Sequence, residues 1–482
     1  MKDATYWATE IREKRLSPHE LITETERRVL ELNPELNAVV ELDKASALKE
    51  LASRVDQEEA PFYGVPIALK MLGQHKAGMG DTSSSRLFVG QRAKETDHFV
   101  KGIERLGLIP FGKTNAPEFG FKNITDPQLY GVTKNAWNID YHAGGSSGGA
   151  ASALASGMFP IVGASDGGGS IRIPASFSGL IGLKPTRGSM PTGPHGWRGW
   201  QGASIDFALT VSMRDTIQLF DGLRGNHKAA PYQAPAYGGV RQNRPLRIAY
   251  CVDSPIKGHV TEAARQAFEK AASFLARGGH ELVEVAYPVD GPALIDSYYA
   301  MNGAETVAMM DEIEAGIGRP ITKEDVEPMT WAIYQYGKQI SAGEYVHSLQ
   351  LWDQAAYVME TLFETYDAFL SPTATDTAPK VSAELQSPAI REKLALAEEL
   401  SQGELKDLVY EMFAKSLAVT PYTQLANLTG QPAISLPVYV AKNGLPLGIQ
   451  LMASKSREDI LFRLGRELEE GQQLIVPTFY RE

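Results

Sequence analysis

The sequence ASDGGGSIRIPASFSGLIGLKPT, residues 164–186, is the most unusual stretch of the chain. Only two charged residues, Asp166 and Arg172, occur between residues 144 and 183, and they flank three consecutive glycines and a serine. Glycine is also dense here, because 16 of the chain's 45 glycines fall between residues 144 and 204. So few charges predict a buried segment, and so many glycines predict an unusual backbone.

The Gly-Gly-Gly-Ser segment at 167–170 has the groups that nucleophilic catalysis needs. It offers one hydroxyl beside several backbone N–H groups, with no side chains to block approach. A serine nucleophile requires such donors about 3 Å from the oxyanion that develops in the transition state. Asp166 and Arg172 could form an ion pair that fixes both ends of the segment. A tight turn without a catalytic role explains the same residues, so both interpretations stay open at this point.

A second glycine-rich cluster, GGSSGG at 144–149, places Ser146 24 residues before Ser170. Its outer glycines have the spacing of a phosphate-binding loop. That interpretation fails because Ala150 and Ala151 stand where the loop requires lysine and a hydroxyl residue. A dinucleotide-binding fingerprint is also absent from the sequence.

A serine nucleophile needs a base, and the sequence offers a lysine more clearly than a histidine. His142 and His195 are the only suggestive histidines, and each is better explained as a polar loop residue. Lys70 follows the short apolar run 65–69, which predicts a buried strand. Burial would lower the pKa of this amine and make its neutral form available. A lone lysine at a strand end is otherwise an ordinary surface residue.

Composition limits the function classes. The chain has 482 residues, 43% hydrophobic and 22% charged, which is typical of a globular enzyme. The net charge of −11 argues against a nucleic-acid or anionic-membrane binder. One cysteine, Cys251, allows no internal disulfide, and no Cys/His group has zinc-ligand spacing. With no targeting segment or long apolar run, we expect a cytoplasmic protein, metal-independent and without a cofactor.

Helix and strand patterns alternate along the chain, which predicts an α/β fold with a largely parallel sheet covered by helices. Four parts can be distinguished. They are a helical segment at about 1–60, a glycine-rich core at about 61–225, a linker at about 226–245 rich in Ala, Pro and Gly, and a second α/β and helical portion at about 246–482.

Five motifs together resemble those of the amidase signature family. They occur in family order with compatible spacing and cover nearly the whole chain, from about Ser17 to Leu468. The motifs are GVPIALK at 64–70, GKTN at 112–115, GGSSGG at 144–149, the run at 164–186, and NLTGQPAISLP at 427–437. The resemblance implies a single domain over 1–482, with a mixed, largely parallel central β-sheet covered by helices on both faces.

The resemblance also implies a Ser-cis-Ser-Lys triad. Ser170 matches the family's nucleophile, Ser146 matches the bridging serine that follows a cis peptide bond in relatives, and Lys70 matches the base. Backbone N–H groups of the nucleophile loop would form an oxyanion hole, with support from neighbouring side chains. The oxyanion-hole residues are Gly167, Gly168 and Gly169 together with Ser170, and the supporting residues are Ser147, Asp166 and Arg172.

Three positions depart from the family pattern. Met71 follows the lysine where relatives usually carry Asp or Asn, and Ala143 replaces a frequent proline. Gly167 stands where Thr, Ile or Ala is commoner. None of them removes a triad atom, but Met71 and Gly167 could alter rate or loop mobility.

Aromatic residues near the two loops indicate an apolar substrate, although ordinary packing explains them equally well. The candidates for substrate binding are Phe121, Trp197 and Trp200, with Phe119, Tyr130 and His195 nearby. The later segments are most similar to the subgroup containing 6-aminohexanoate cyclic-dimer hydrolase and acylamidases. This implies small linear, cyclic or aryl amides as substrates.

Two other interpretations stay open. One is the A subunit of a tRNA-dependent amidotransferase, which shares these motifs, acts on glutamine and works with partner subunits. The other is a non-catalytic binding protein of the same fold. We expect a small-molecule amide substrate, no membrane, a possible homodimer, and no nucleic acid unless the amidotransferase interpretation holds.

Overall fold

The computed structural model describes residues 1–54, 57–238 and 244–481. Apolar runs form short strands through the chain, and the strand predicted at 65–69 is present as Pro66–Lys70. The strands are β1 Val39–Leu42, β2 Pro66–Lys70, β3 Ile109–Thr114, β4 Lys134–Asn135, β5 Asn138–His142, β6 Val162–Asp166, β7 Ile181–Lys184, β8 Ile205–Thr210, β9 Arg247–Tyr250, β10 Glu281–Glu284, β11 Ala368–Pro372, β12 Ala433–Val440 and β13 Pro446–Met452.

Helices occupy the intervals between these strands, and the two longest described helices lie between residues 291 and 365. The helices are α1 Ala4–Arg12, α2 Pro18–Leu36, α3 Lys44–Ala52, α4 His98–Arg105, α5 Gly148–Ala155, α6 Arg172–Ser178, α7 Met213–Leu223, α8 Glu262–Arg277, α9 Gly291–Ile317, α10 Pro328–Gln339, α11 Ala342–Thr365, α12 Pro388–Ala395, α13 Gln402–Val419, α14 Gln424–Thr429 and α15 Glu458–Glu470.

The N-terminal helical segment shows how local sequence sets an element. Ser17 Oγ accepts a hydrogen bond from the Glu20 N–H at 3.2 Å, and Glu20 Oε2 accepts one from the Ser17 N–H at 2.8 Å. This is the reciprocal capping box that the sequence predicts at the start of α2, with Pro18 at the first helical position.

Eleven of the described strands form one sheet in the order β1-β3-β2-β6-β8-β7-β12-β13-β11-β9-β10. The α/β class and the mixed sheet are confirmed. Parallel pairing joins β3, β2 and β6 in one block and β11, β9 and β10 in another. The other neighbours, including all those between the two blocks, pair antiparallel. For β12 and β13 the reason is local, because a short turn joins them as a hairpin.

The sheet draws strands from both sides of the linker predicted at 226–245. β7 pairs with β12, so the two portions share one set of backbone hydrogen bonds. This continuity supports the interpretation of the chain as a single domain, which stays a prediction. Part of the linker, residues 239–243, lies outside the described residues.

Lys70 and the glycine-rich segment 167–170 lie at the C-terminal ends of two neighbouring strands. β2 ends at Lys70 and β6 ends at Asp166, and these two parallel strands are hydrogen-bonded neighbours. The loop after β6 leads into α6, and the GGSSGG cluster leads into α5. Within the described ranges, none of the helices is long and apolar enough to cross a membrane.

Candidate functional site

Lys70 lies at the centre of the site, fully buried at the end of β2. Its Nζ donates to Ser146 Oγ at 2.7 Å and to Ser165 Oγ at 2.9 Å. Burial lowers the pKa of Lys70 to about 7, although the charges of Asp206 and Asp166 oppose the shift. The expectation of a sheltered lysine is confirmed, and its neutral amine is substantially populated near neutral pH.

The two serine loops are in direct contact. The peptide bond between Gly145 and Ser146 is cis, and Ser146 is buried. The Ser147 N–H donates to the carbonyl oxygen of Ser170 at 3.3 Å, and Ser147 Oγ donates to the carbonyl oxygen of Ser165 at 3.2 Å. These bonds hold the Ser146 loop against the segment that carries Ser170.

Ser170 opens onto a cavity of about 50 Å³. Gly168 and Ser170 line the cavity, and helices α9, α10 and α13 contribute many of the other lining residues. The apolar part of its wall is formed by Phe121, Ile173, Ile333, Val409, Phe413 and Leu417. A small substrate in this cavity would therefore contact both Ser170 and apolar side chains.

Gly169 corrects one expectation about the oxyanion hole. Its N–H donates to Asp166 Oδ1 at 2.7 Å and is therefore occupied by a buried carboxylate. In the part of the chain that the structure describes, the N–H groups of Gly167, Gly168 and Ser170 pair with no protein acceptor. These three groups are the ones left to bind an oxyanion, so Gly169 serves the loop geometry instead.

The glycines of this loop are fixed by their surroundings. Gly169 has φ +125°, and a Cβ there would collide with Thr423 Oγ1. A Cβ on Gly167 would lie 2.8 Å from the ring of Trp200. The departure from the family pattern at Gly167 therefore has a physical reason, because Trp200 occupies the space that a side chain would fill.

Asp166 and Arg172 form the internal ion pair that the sequence predicts. Both are fully buried, and Arg172 Nε and Nη2 each donate to an Asp166 oxygen at 2.9 Å. Burial acts to raise the pKa of Asp166, but the charge and hydrogen bonds of Arg172 outweigh it and lower the pKa to about 2. Arg172 also donates to Gln450 and Asn427, each at 2.6 Å, so the pair joins the loop to the second chain portion.

Arg172→Met is expected to destabilise the protein by about 3–5 kcal/mol, because it leaves the Asp166 carboxylate buried without its counter-charge. The free energy of unfolding in urea measures this. The matched control is Arg319→Met, which removes an exposed arginine paired with Asp325 and is expected to cost about 0–1 kcal/mol. Equal losses in the two variants would contradict the assigned role of the buried pair.

The aromatic candidates divide into two groups. Phe121 lines the cavity. Trp200 does not line it, so the expectation that Trp200 contacts substrate is corrected, but its ring stacks on Phe121 with centroids 6.0 Å apart. Trp197 does not line the cavity, so the expectation that it contacts substrate is corrected. Its ring packs against His98 and His227 because the intervening loop turns the two tryptophans to different sides.

His142 and His195, the two suggestive histidines, do not reach the triad atoms. His142 is buried near Lys122, and His195 Nδ1 lies 2.8 Å from Asp97 Oδ1. Met71 is buried with its methyl group toward Gly80, so it packs in the loop after β2 rather than binding the lysine.

Several polar groups of the site escaped sequence reasoning. Ser165 accepts a hydrogen bond from the Lys70 amine and immediately precedes Asp166 in β6. Side chains alternate between the two faces of a strand, so Ser165 was predictable as the residue facing the opposite side from Asp166. Asn427 belongs to a quoted motif and donates to the Asp166 carbonyl oxygen at 2.9 Å. Lys113 is fully buried and donates to the carbonyl oxygen of Gln74 at 2.6 Å, beneath the loop that follows Lys70.

Known proteins resemble this chain over nearly its full length. The amidase family matches residues 20–462. The chain is 37% identical to lipoamidase of Enterococcus faecalis. The match covers 98% of this chain and 63% of the lipoamidase. It is 33% identical to 6-aminohexanoate-cyclic-dimer hydrolase of Paenarthrobacter ureafaciens, covering 97% of this chain and 94% of that one.

A solved structure of 6-aminohexanoate cyclic dimer hydrolase complexed with substrate has the same fold. It superposes with a TM-score of 0.88 at 30% identity and covers 99% of this chain and 98% of that chain. The resemblance drawn from the motifs is confirmed over the whole sheet and its helices. The chain therefore belongs to the amidase signature family and is a hydrolase that acts on amides.

Proposed function

We propose that the protein hydrolyses small carboxylic amides through an acyl-enzyme on Ser170, with Ser146 and Lys70 as proton relay. The observation that carries the proposal is the 2.7 Å contact between the buried Lys70 amine and Ser146 Oγ. Burial lowers the pKa of Lys70 to about 7, so the neutral amine can take a proton from the hydroxyl it contacts, as a general base must. The reaction as written needs no metal or cofactor.

The proposed reaction balances as amide plus water giving carboxylic acid plus amine. Neutral Lys70 takes the Ser146 proton, Ser146 takes the Ser170 proton, and Ser170 Oγ bonds to the amide carbon. The N–H groups of Gly167, Gly168 and Ser170 would bind the resulting oxyanion. The C–N bond then breaks as the relay returns the proton to the leaving nitrogen. Water, activated by the same relay, cleaves the ester and frees Ser170.

We further propose that the cavity takes the acyl group of the substrate. Its apolar wall would bind an aliphatic or aromatic chain. In the described part of the chain, Asn302 Oδ1 and Gln424 Oε1 are buried at this cavity without a protein donor. Each could accept a hydrogen bond from an N–H or O–H on that chain. This combination supports small linear, cyclic or aryl amides as substrates.

A chain-length series tests this assignment. For acyl p-nitroanilides from acetyl to hexanoyl, kcat/KM is expected to rise about 4-fold per methylene group, as each buries further apolar surface. Ile333→Ser should flatten the series, since Ile333 lines the cavity, while Val358→Ser on an exposed face of α11 should leave it unchanged. A series that responds to the length of the amine and not of the acyl group would overturn the assignment.

The same purified protein discriminates the two alternatives. An amidotransferase subunit would release ammonia from glutamine in a partner-dependent manner and leave the anilides intact. A non-catalytic protein would turn over no amide in the series.

A further inference from the structure

A second cluster of chemically active side chains lies where three loops meet outside the triad. His75 is in the loop after β2, Asp97 precedes α4, and His195 is in the loop after β7. His75 Nδ1 lies 2.7 Å from Asp97 Oδ2, and His195 Nδ1 lies 2.8 Å from Asp97 Oδ1. The donor atoms of the three residues all lie within 4.8 Å of one another. Sequence spacing gave no sign of this set, because only the fold brings the three residues together.

The orientation of His75 is fixed from behind. Its Nε2 lies 3.1 Å from Asp81 Oδ1, so Asp81 can accept the Nε2 proton and turn Nδ1 toward Asp97 and His195. A carboxylate behind an imidazole is the arrangement that orients metal-binding histidines in proteins. Asp97 is also held in place, since its Oδ2 accepts a hydrogen bond from the backbone N–H of His75 at 2.9 Å.

We propose that His75, Asp97 and His195 bind one divalent transition-metal ion of the Zn²⁺ class, with Asp81 positioning His75. Two imidazoles and one carboxylate suit zinc and its neighbours, with ligand distances of about 2.0–2.2 Å. Mg²⁺ and Ca²⁺ favour sets made of oxygen atoms. The His195 side chain is 35% exposed, which leaves water a path to complete the coordination.

The ion would hold two sides of the catalytic cleft together without touching the reacting atoms. His75 follows Gln74, whose Oε1 accepts the Lys70 N–H at 3.0 Å. His195 is five residues before Trp200, which covers Gly167 of the nucleophile loop. A bound ion would therefore restrain the loop of Trp200 against the segment that follows Lys70.

Calorimetric titration of the full chain, without a polyhistidine tag and after chelation, tests the proposal. Zn²⁺ is expected to bind with a stoichiometry of one and to raise the thermal unfolding midpoint, since it binds the folded chain. Mg²⁺ should do neither at the same concentration. Asp81→Asn should weaken Zn²⁺ binding about 10–100-fold, as loss of an orienting partner does.

The partly exposed His195 provides the decisive variant, because its replacement leaves the core intact. His195→Ala should abolish stoichiometric binding, while His227→Ala, a neighbouring histidine outside the set, should retain it. X-ray absorption of the Zn²⁺ complex should show nitrogen and oxygen ligands only. An absence of stoichiometric binding to the wild type, or equal binding by His195→Ala, would mean that protons alone link these groups and would overturn the proposal.

Discussion

Ser170→Ala is expected to lower kcat for amide hydrolysis on the order of 10⁴- to 10⁶-fold, the range found when a nucleophilic serine is lost. The reason is geometric as well as chemical. Ser170 is the hydroxyl that meets the cavity beside the free N–H groups of Gly167 and Gly168. Ser146 is buried, is hydrogen-bonded to the Lys70 amine and does not line the cavity, so we do not expect it to take over the attack. The measurement is single-turnover and steady-state kinetics with an acyl p-nitroanilide.

Covalent labelling separates loss of the nucleophile from loss of the fold. A fluorophosphonate should modify the wild-type protein once, on the peptide that carries Ser170, and should not modify Ser170→Ala. Ser156→Ala is the matched control, because Ser156 bonds within the end of α5 and does not line the cavity. It should keep both activity and labelling. Full amidase activity in Ser170→Ala, or a label found on Ser147, would exclude Ser170 as nucleophile.

Much of the fold was open to prediction because its elements are local. The apolar run before Lys70, the capping box at Ser17 and the hairpin around residues 433–450 each carry their own signal. Sheet order is different, since β6 lies beside β2 but also beside β8, which follows it by two strands. Such neighbours depend on long-range packing, and no local pattern in the sequence specifies them.

The site shows the same division between local and long-range information. A nearly charge-free stretch made the pairing of Asp166 with Arg172 predictable, because two lone opposite charges in a buried segment need each other. The role of the Gly169 N–H was not predictable, since it depends on where the Asp166 carboxylate turns. Trp197 and Trp200 are three residues apart in one loop, yet Trp197 packs against His98 and Trp200 stacks on Phe121. The backbone conformation of the loop decides this difference, and the sequence does not reveal it.

The pH dependence of kcat/KM is the second large effect, and it depends on Lys70. The neutral amine is the proposed base, so kcat/KM should rise with pH as a single group loses its proton. The midpoint should lie near pH 7, because burial lowers the pKa of Lys70 to about 7. Lys70→Met should lose about 10²- to 10⁴-fold in rate and lack this rise. A Lys70→Met protein with an unchanged pH profile would show that another group supplies the base.

Asp206 must be distinguished from Lys70, because burial and the charge of Asp97 raise the pKa of Asp206 to about 7 as well. Two interacting groups then titrate together, and the wild-type midpoint belongs to the pair. Asp206→Asn resolves them. The anionic Asp206 raises the pKa of Lys70, so its removal should keep the rise in rate and move its midpoint to lower pH. Disappearance of the rise in Asp206→Asn would assign it to Asp206.

Stability provides the final check on Lys70, and the sign of its effect is unusual for an active-site substitution. Folding lowers the pKa of Lys70 from its ordinary 10.5, so the folded state disfavours the ammonium form. This cost is fully present below pH 7 and disappears as pH rises toward 10.5. Lys70→Met should therefore unfold in urea at pH 7 no more easily than the wild type, although it has lost most of its activity. If Lys70→Met loses activity and keeps its stability, Lys70 serves catalysis. If Lys70 served the fold alone, its replacement would lower the free energy of unfolding instead.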